Sequence, residues 1–123
     1  VRRNQGFPIL GICLGMQLMC ESSEEAPGVQ GLGWFPWKVE RLPCKRLPQV
    51  GWLSCGRADY YFCHSYGVLD TLGEWKADEL AICACDGGYF VALYKRANLW
   101  ATQFHPEKSG KAGLGLLTQF LAL

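Results

Sequence analysis

Apolar and polar positions along this chain fall into short runs, mostly of strand length, with a helical period only near the two ends. Phe7 to Ile12 is an apolar run with strand character, and Met16 to Glu21 reads as a helix directly behind it. Before them, Val1 to Gly6 reads as the tail of a helix closed by a glycine. Gly28 to Gly33 is a loop, and Trp34 to Leu42 is extended, with Pro36 marking an edge or an irregular strand. Pro43 to Arg57 is expected to be loop-like around Gly51-Trp52. Tyr60 to Tyr66 is an aromatic-rich strand. Leu80 to Cys85, Tyr89 to Lys95 and Leu99 to Phe104 are three short strands, with turns at Asp86-Gly87-Gly88 and Ala97-Asn98. A last helix starts at about Lys111, with Leu114, Leu117 and Leu121 on one face. Strands bracketed by helices predict an α/β domain on an open sheet, with its site at the carboxyl end of the first strand.

Composition narrows the partners. The 123 residues make one domain or a piece of one. Lys and Arg number 12 against 11 Asp and Glu, so the net charge of +1 offers nothing to nucleic acid or an anionic membrane. Half the residues are apolar, yet no run is long enough to span a bilayer. No secretory segment precedes the first strand, and a cytoplasmic location is expected. The seven cysteines (13, 20, 44, 55, 63, 83 and 85) are odd in number and lack the spacing of a disulfide scaffold. They are expected to be reduced, most of them as small apolar fillers. Cys83-x-Cys85 and Cys63-His64 lack the Cys-x-x-Cys pairs of structural zinc sites, so neither a metal nor a cofactor is expected.

Two segments carry chemistry. Gly11-Ile12-Cys13-Leu14-Gly15 follows an apolar strand, and its flanking glycines let the backbone turn sharply enough to stand a thiol out between strand and helix. A thiol nucleophile needs a base, and the base needs an orienting group. Gln103-Phe104-His105-Pro106-Glu107 supplies both: Pro106 biases His105 towards extended geometry, and side chains two apart on an extended chain share a side. Cys13, His105 and Glu107 are therefore the candidate nucleophile, base and orienter of a triad. His64, between Cys63 and Ser65, has no positioned carboxylate and is not the base. A helix N-terminus and a nearby imidazolium are expected to lower the Cys13 pKa.

The run from Gly11 to Leu18, followed by Glu21, Ser23, Glu24 and Glu25, resembles the class I (triad) glutamine amidotransferases. His64-Ser65-Tyr66 and the stretch from Gln103 to Gly110, with Ala112-Gly113-Leu114, extend the resemblance over nearly the whole chain. The Ser-Glu-Glu stretch, Gly51-Trp52 and the Lys-Ser-Gly-x-Ala-Gly tail are most similar to the glutaminase branch serving imidazole glycerol phosphate synthases of histidine biosynthesis. The resemblance implies a flavodoxin-like open mixed sheet, of which residues 1–123 are the C-terminal portion, further strands and helices preceding the elbow in the family. It implies hydrolysis of L-glutamine and delivery of ammonia to a cyclase subunit with a β/α barrel. It implies an oxyanion donor at the Leu14 amide, with a second from a glycine-rich loop ahead of the elbow. Gln17 and Glu25 would then hold the two ends of glutamine, the backbone of His64, Ser65 and Tyr66 would add contacts, and Trp52, Tyr61 and Lys108 would face the partner. From the residues alone, Gln17 and Glu25 read equally as an exposed helix face, and Trp52, Tyr61 and Lys108 as two core aromatics and a solvated lysine. The chain has Gln49-Val50-Gly51-Trp52-Leu53 where the branch usually has His-Met-Gly-Trp-Asn. Another class I amidotransferase with a different acceptor, or a non-catalytic remnant, remain alternatives.

Overall fold

The computed structural model describes residues 6–56, 58–71 and 76–123, so the expected helical tail at residues 1–5 lies outside the described residues. Strand β1 (Ile9–Ile12) enters helix α1 (Leu14–Leu18) through the single residue Cys13. There follow β2 (Ser22–Ser23), β3 (Lys38–Arg41), β4 (Gln49–Ser54), β5 (Asp59–His64) and β6 (Tyr66–Val68). The chain ends with β7 (Glu79–Cys85), β8 (Gly88–Arg96), β9 (Leu99–Thr102), a 3-10 turn at Pro106–Lys108 and α2 (Gly110–Leu121).

The main sheet is open and mixed, in the order β1-β9-β8-β7, with β1 parallel to β9 and the other pairs antiparallel. Two smaller sheets, β2-β3-β6 and β4-β5, lie over it. All four residues of β9 are buried, because each face of the main sheet has its own apolar layer. Leu99 and Ala101 join one cluster with Met16 from α1, with Met19 just beyond that helix, and with Trp37. Trp100 joins the other with Phe62 from β5 and Leu116 from α2. Strands covered on both faces read as continuous apolar runs rather than alternating ones. Trp37 stacks on Phe35 at 4.3 Å between centroids and meets the Tyr94 ring edge-on at 4.7 Å, contacts worth about 0.5–1.5 kcal/mol each beyond burial. Among the described residues no helix is long and apolar enough to cross a membrane.

Four expectations need correction. The stretch from Pro43 to Arg57 is not a loop throughout: β4 pairs antiparallel with β5 from Gln49↔His64 to Ser54↔Asp59. Two of its three large apolar side chains, Val50 and Trp52, point outward, which hid the strand. The helix after the elbow ends at Leu18, short of Glu21. In α2 the inward face is Gly113, Leu116 and Phe120, while Leu114 and Leu121 are exposed. The reason is close approach, since a Cβ at Gly113 would collide with the Pro106 carbonyl. Finally, the cysteines are not all reduced fillers. Cys44 pairs with Cys85 and Cys55 with Cys83, leaving Cys13, Cys20 and Cys63 free. Residues 83 and 85 lie two apart on β7, so both side chains leave the strand on one side, towards the 44–55 segment.

Candidate active site

Cys13 has φ 53° and ψ −106°, a left-handed backbone that non-glycine residues seldom adopt and that costs about 1–3 kcal/mol. Its neighbours hold it there. The Cys13 N–H donates to Thr102 O at 2.7 Å, tying the elbow to β9, and its carbonyl accepts from Gln17 N at 3.2 Å. Gly11 lets α1 fold back on β1, because a Cβ there would lie 2.8 Å from the Met19 side chain. The sharp turn expected of the motif is thus present, and it stands the thiol half-exposed at the carboxyl end of β1.

The His105–Glu107 pair forms, but by another route than an extended chain. His105 is extended (φ −95°, ψ 102°), and Glu107 comes back to it through the 3-10 turn, with 3.0 Å between His105 Nδ1 and Glu107 Oε2. A carboxylate on Nδ1 puts the proton there and leaves Nε2 to exchange protons. The backbone of His105 is clamped to β5: its N–H donates to Tyr61 O at 3.0 Å. Ser109 completes the clamp, donating from Oγ to His105 O at 2.6 Å and accepting from Tyr61 N at 2.9 Å.

Cys13, Leu14, Gln17, Glu25, Cys63, His64, Ser65 and Tyr66 line one cleft of about 190 Å³. It therefore gathers the candidate nucleophile, the candidate oxyanion amide and all five candidate substrate residues. Gln17 is not an exposed helix face: it is buried, and both Nε2 protons are spent, on Tyr66 O at 2.9 Å and Gln103 Oε1 at 3.2 Å. A ligand would meet its Oε1. Glu25 is exposed at the rim. The Ser65 and Tyr66 carbonyls are engaged within the fold, Ser65 O by Leu42 N and Tyr66 O by both Gln17 Nε2 and His64 Nδ1. Trp52 and Tyr61 are cross-strand partners with rings 6.1 Å apart, and Lys108 Nζ lies 5.9 Å from the Tyr61 ring. The three form one surface patch, with Trp52 more than half exposed rather than in the core.

Charge at the site departs from expectation in one respect. Burial pushes the Cys13 thiol above its ordinary pKa, outweighing the Leu14 N–H and the Gln103 amide, while Cys63 and Glu107 push the same way. A five-residue helix has too small a dipole to reverse this. Burial also holds His64 down, at about 4, against the pull of the Tyr66 carbonyl and helped by His105. His64 is thus neutral, with its proton on Nδ1, and unsuited to act as the base. Among the described residues no group of three His, Cys, Asp or Glu could hold a metal ion. Two residues of the site carried no role in the sequence reading: Ser109, which clamps His105, and Gln103, whose Nε2 donates to Cys13 Sγ at 3.5 Å.

The family model for glutamine amidotransferase class-I matches residues 2–122. The chain is 47% identical over 129 residues to imidazole glycerol phosphate synthase subunit HisH of Thermus thermophilus, a match covering 95% of this chain and 62% of that protein. It is 42% identical over 127 residues to subunit HisH of Pyrobaculum aerophilum, covering 94% and 63%. It is 37% identical over 137 residues to imidazole glycerol phosphate synthase hisHF of Emericella nidulans, covering 94% and 25%. A crystal structure of glutamine amidotransferase aligns at TM-score 0.64 and 21% identity over 97% of this chain and 63% of that one, a likeness of fold. The chain spans less than two thirds of the length of these relatives.

Proposed function

Because the chain belongs to the class-I glutamine amidotransferase family, we propose that it acts in a cytoplasmic glutaminase subunit that releases ammonia from L-glutamine. The ammonia passes to a cyclase barrel subunit, forming a heterodimeric lyase that makes imidazole glycerol phosphate and AICAR for histidine biosynthesis. In this reading residues 1–123 are the C-terminal portion of one amidotransferase domain, from the elbow to the final helix. Similarity to relatives named as HisH subunits supports that branch. The observation that carries the chemistry is Cys13 itself, held at φ 53° in a cleft with Gln17, Glu25 and His64 to Tyr66. The His105–Glu107 pair is clamped to β5, the strand whose Cys63 carbonyl lies 3.9 Å from the thiol.

Since burial keeps the thiol protonated at rest, the base must take the proton as attack begins. His105 Nε2 accepts it, Glu107 stabilising the imidazolium, and the sulfur attacks the carboxamide carbon. The Leu14 N–H meets the developing oxyanion. The imidazolium then protonates the departing nitrogen, ammonia leaves, and water cleaves the glutamyl thioester. Gln17 Oε1 and the Glu25 carboxylate are both acceptors, so they suit the α-ammonium end of glutamine. Trp52, Tyr61 and Lys108 face the cyclase.

A diazo-ketone analogue of glutamine tests this reading directly. Peptide mapping should place the adduct on Cys13 and on neither Cys63 nor Cys20, and in an N-terminally complete domain ammonia release should disappear in Cys13→Ser. Labelling centred on Cys63 would remove Cys13 as nucleophile. Complementation of a histidine auxotroph with a full-length version separates this branch from amidotransferases serving another acceptor.

A further inference from the structure

We propose that Gln103 is a catalytic residue of this site, its side-chain amide held by Gln17 and the Tyr66 carbonyl so that it donates to Cys13 Sγ. The Tyr66 carbonyl, as an acceptor only, fixes which atoms face it. A backbone carbonyl only accepts, so the Gln17 atom 2.9 Å from Tyr66 O must be Nε2. That same Nε2 lies 3.2 Å from the Gln103 side chain, which must present Oε1 to it. The other end of the Gln103 amide, 3.5 Å from Cys13 Sγ, is then Nε2, a donor. Orientation therefore propagates from Tyr66 through two amides to the thiol, with no rotor left free.

The placement is rigid as well as directed. Gln103 is fully buried, and its backbone N–H donates to Ala92 O at 2.9 Å, inside the main sheet. A buried polar group in so enclosed a position must be hydrogen-bonded, and its bonds are worth more than in water. A donor aimed at sulfur favours thiolate over thiol, because only the thiolate gains a charge-assisted bond. The Gln103 amide lowers the Cys13 pKa against the larger effect of burial. At rest the Leu14 N–H and the Gln103 amide both favour charge on the sulfur. Leu14 is the amide that turns to the oxyanion as attack proceeds, whereas Gln103, fixed by Gln17, stays on the sulfur. The inference rests on Cys13 being the nucleophile, yet its test needs no turnover, so it can fail while the glutaminase reading stands.

The test uses iodoacetamide on the folded chain across a range of pH, followed by peptide mass mapping. Three free thiols give three readouts. Cys13 reports the proposal, exposed Cys63 reports reagent reactivity, and Cys20, fully buried with its thiol pushed up to about 12, reports loss of fold. In Gln103→Met, Cys13 alkylation below its midpoint should slow roughly three- to tenfold and the midpoint should rise by about 0.5–1 pH unit. Cys63 should be unchanged and Cys20 still protected. A Cys13 profile that superimposes on the parent, with Cys20 protected, overturns the proposal. Should Cys20 become reactive, the unaltered protein decides by NMR. The Gln103 side-chain NH2 resonances should titrate with the midpoint seen for Cys13, and resonances flat through that range overturn the proposal.

Discussion

His64 makes the stability of this protein acid-sensitive, and the size of the effect follows from its surroundings. The ring is buried between Phe62 and Phe90, at centroid distances of 5.6 and 4.8 Å, and its Nδ1–H donates to Tyr66 O at 2.9 Å. Its Nε2 is buried without a partner, so a second proton would find no acceptor there. Burial accordingly lowers the pKa to about 4, while an unfolded histidine titrates near ~6.5. Above about pH 7 the ring is neutral in both states and contributes no pH dependence. As the pH falls from ~6.5 towards ~4, the unfolded chain takes up a proton that the folded chain refuses, and stability is lost. At 1.36 kcal/mol per pH unit, about 2 kcal/mol is gone by about pH 5, with a ceiling of about 3 kcal/mol. Against a typical domain stability of about 5–15 kcal/mol, that loss is large. Urea unfolding at pH values from about 7.5 down to 4.5 measures it, compared with His64→Asn, which keeps an amide donor near Tyr66 O. The advantage of the parent over the variant should shrink by about 2 kcal/mol between about pH 7 and 5. A constant difference across that range would mean that the buried ring accepts a proton freely, and the reasoning fails.

Four further outcomes are expected. In an N-terminally complete domain, His105→Ala should abolish ammonia release, and Glu107→Gln should lower it by a smaller factor with the fold intact; wild-type rates in both would make the pair structural. Ser109→Ala removes the hydroxyl bonded to His105 O and Tyr61 N and should cost about 1–3 kcal/mol in urea melts; an unchanged midpoint would deny the clamp. Gly113→Ala should destabilise by about 1–3 kcal/mol through collision with the Pro106 carbonyl, although helix propensity alone favours alanine by about 1 kcal/mol; a raised melting temperature would refute the close approach. Denatured without reductant, the protein should titrate as three thiols, and as seven after reduction; seven at the outset would dissolve both disulfides.

What could be read from the sequence was whatever depends on neighbours along the chain. The hairpin turns at Asp86-Gly87 and Ala97-Asn98 fall where their turn residues predict, because the turn chemistry is local. β1 and β9 were visible as apolar runs because both faces of the main sheet are covered. β4 was not, since Gly51 sits at φ 118° and the apolar Val50 and Trp52 face outward, reversing the usual sign of the pattern. Periodicity also chose the wrong stripe of α2. It weighs leucines, whereas the helix docks through a glycine whose value is the side chain it lacks. Disulfide pairing depends on which strands lie side by side, and Cys83-x-Cys85 reads the same whether or not anything faces it.

The site divides along the same line. Cys13, His105 and Glu107 stand in short motifs whose spacing implies their roles; the fold has a strained backbone at Cys13 and sets Glu107 on His105 through a 3-10 turn that the spacing did not signal. The electrostatics of the thiol had no such signal. From the motif, a helix N-terminus and an imidazolium were expected to make a thiolate; in the fold, five residues of helix and a half-buried sulfur give the opposite balance. That reversal has a mechanistic consequence. A thiol that stays protonated at rest is protected from adventitious electrophiles, and its reactivity then depends on the base acting during attack rather than on a standing ion pair. It also explains why a donor on sulfur matters here: where burial already opposes the charge, each bond that opposes burial bears on the barrier. Gln103 supplies such a bond only because Gln17, 86 residues away, fixes which end of its amide meets the sulfur. No linear motif carries that information, since it passes through a carbonyl on a third segment of the chain.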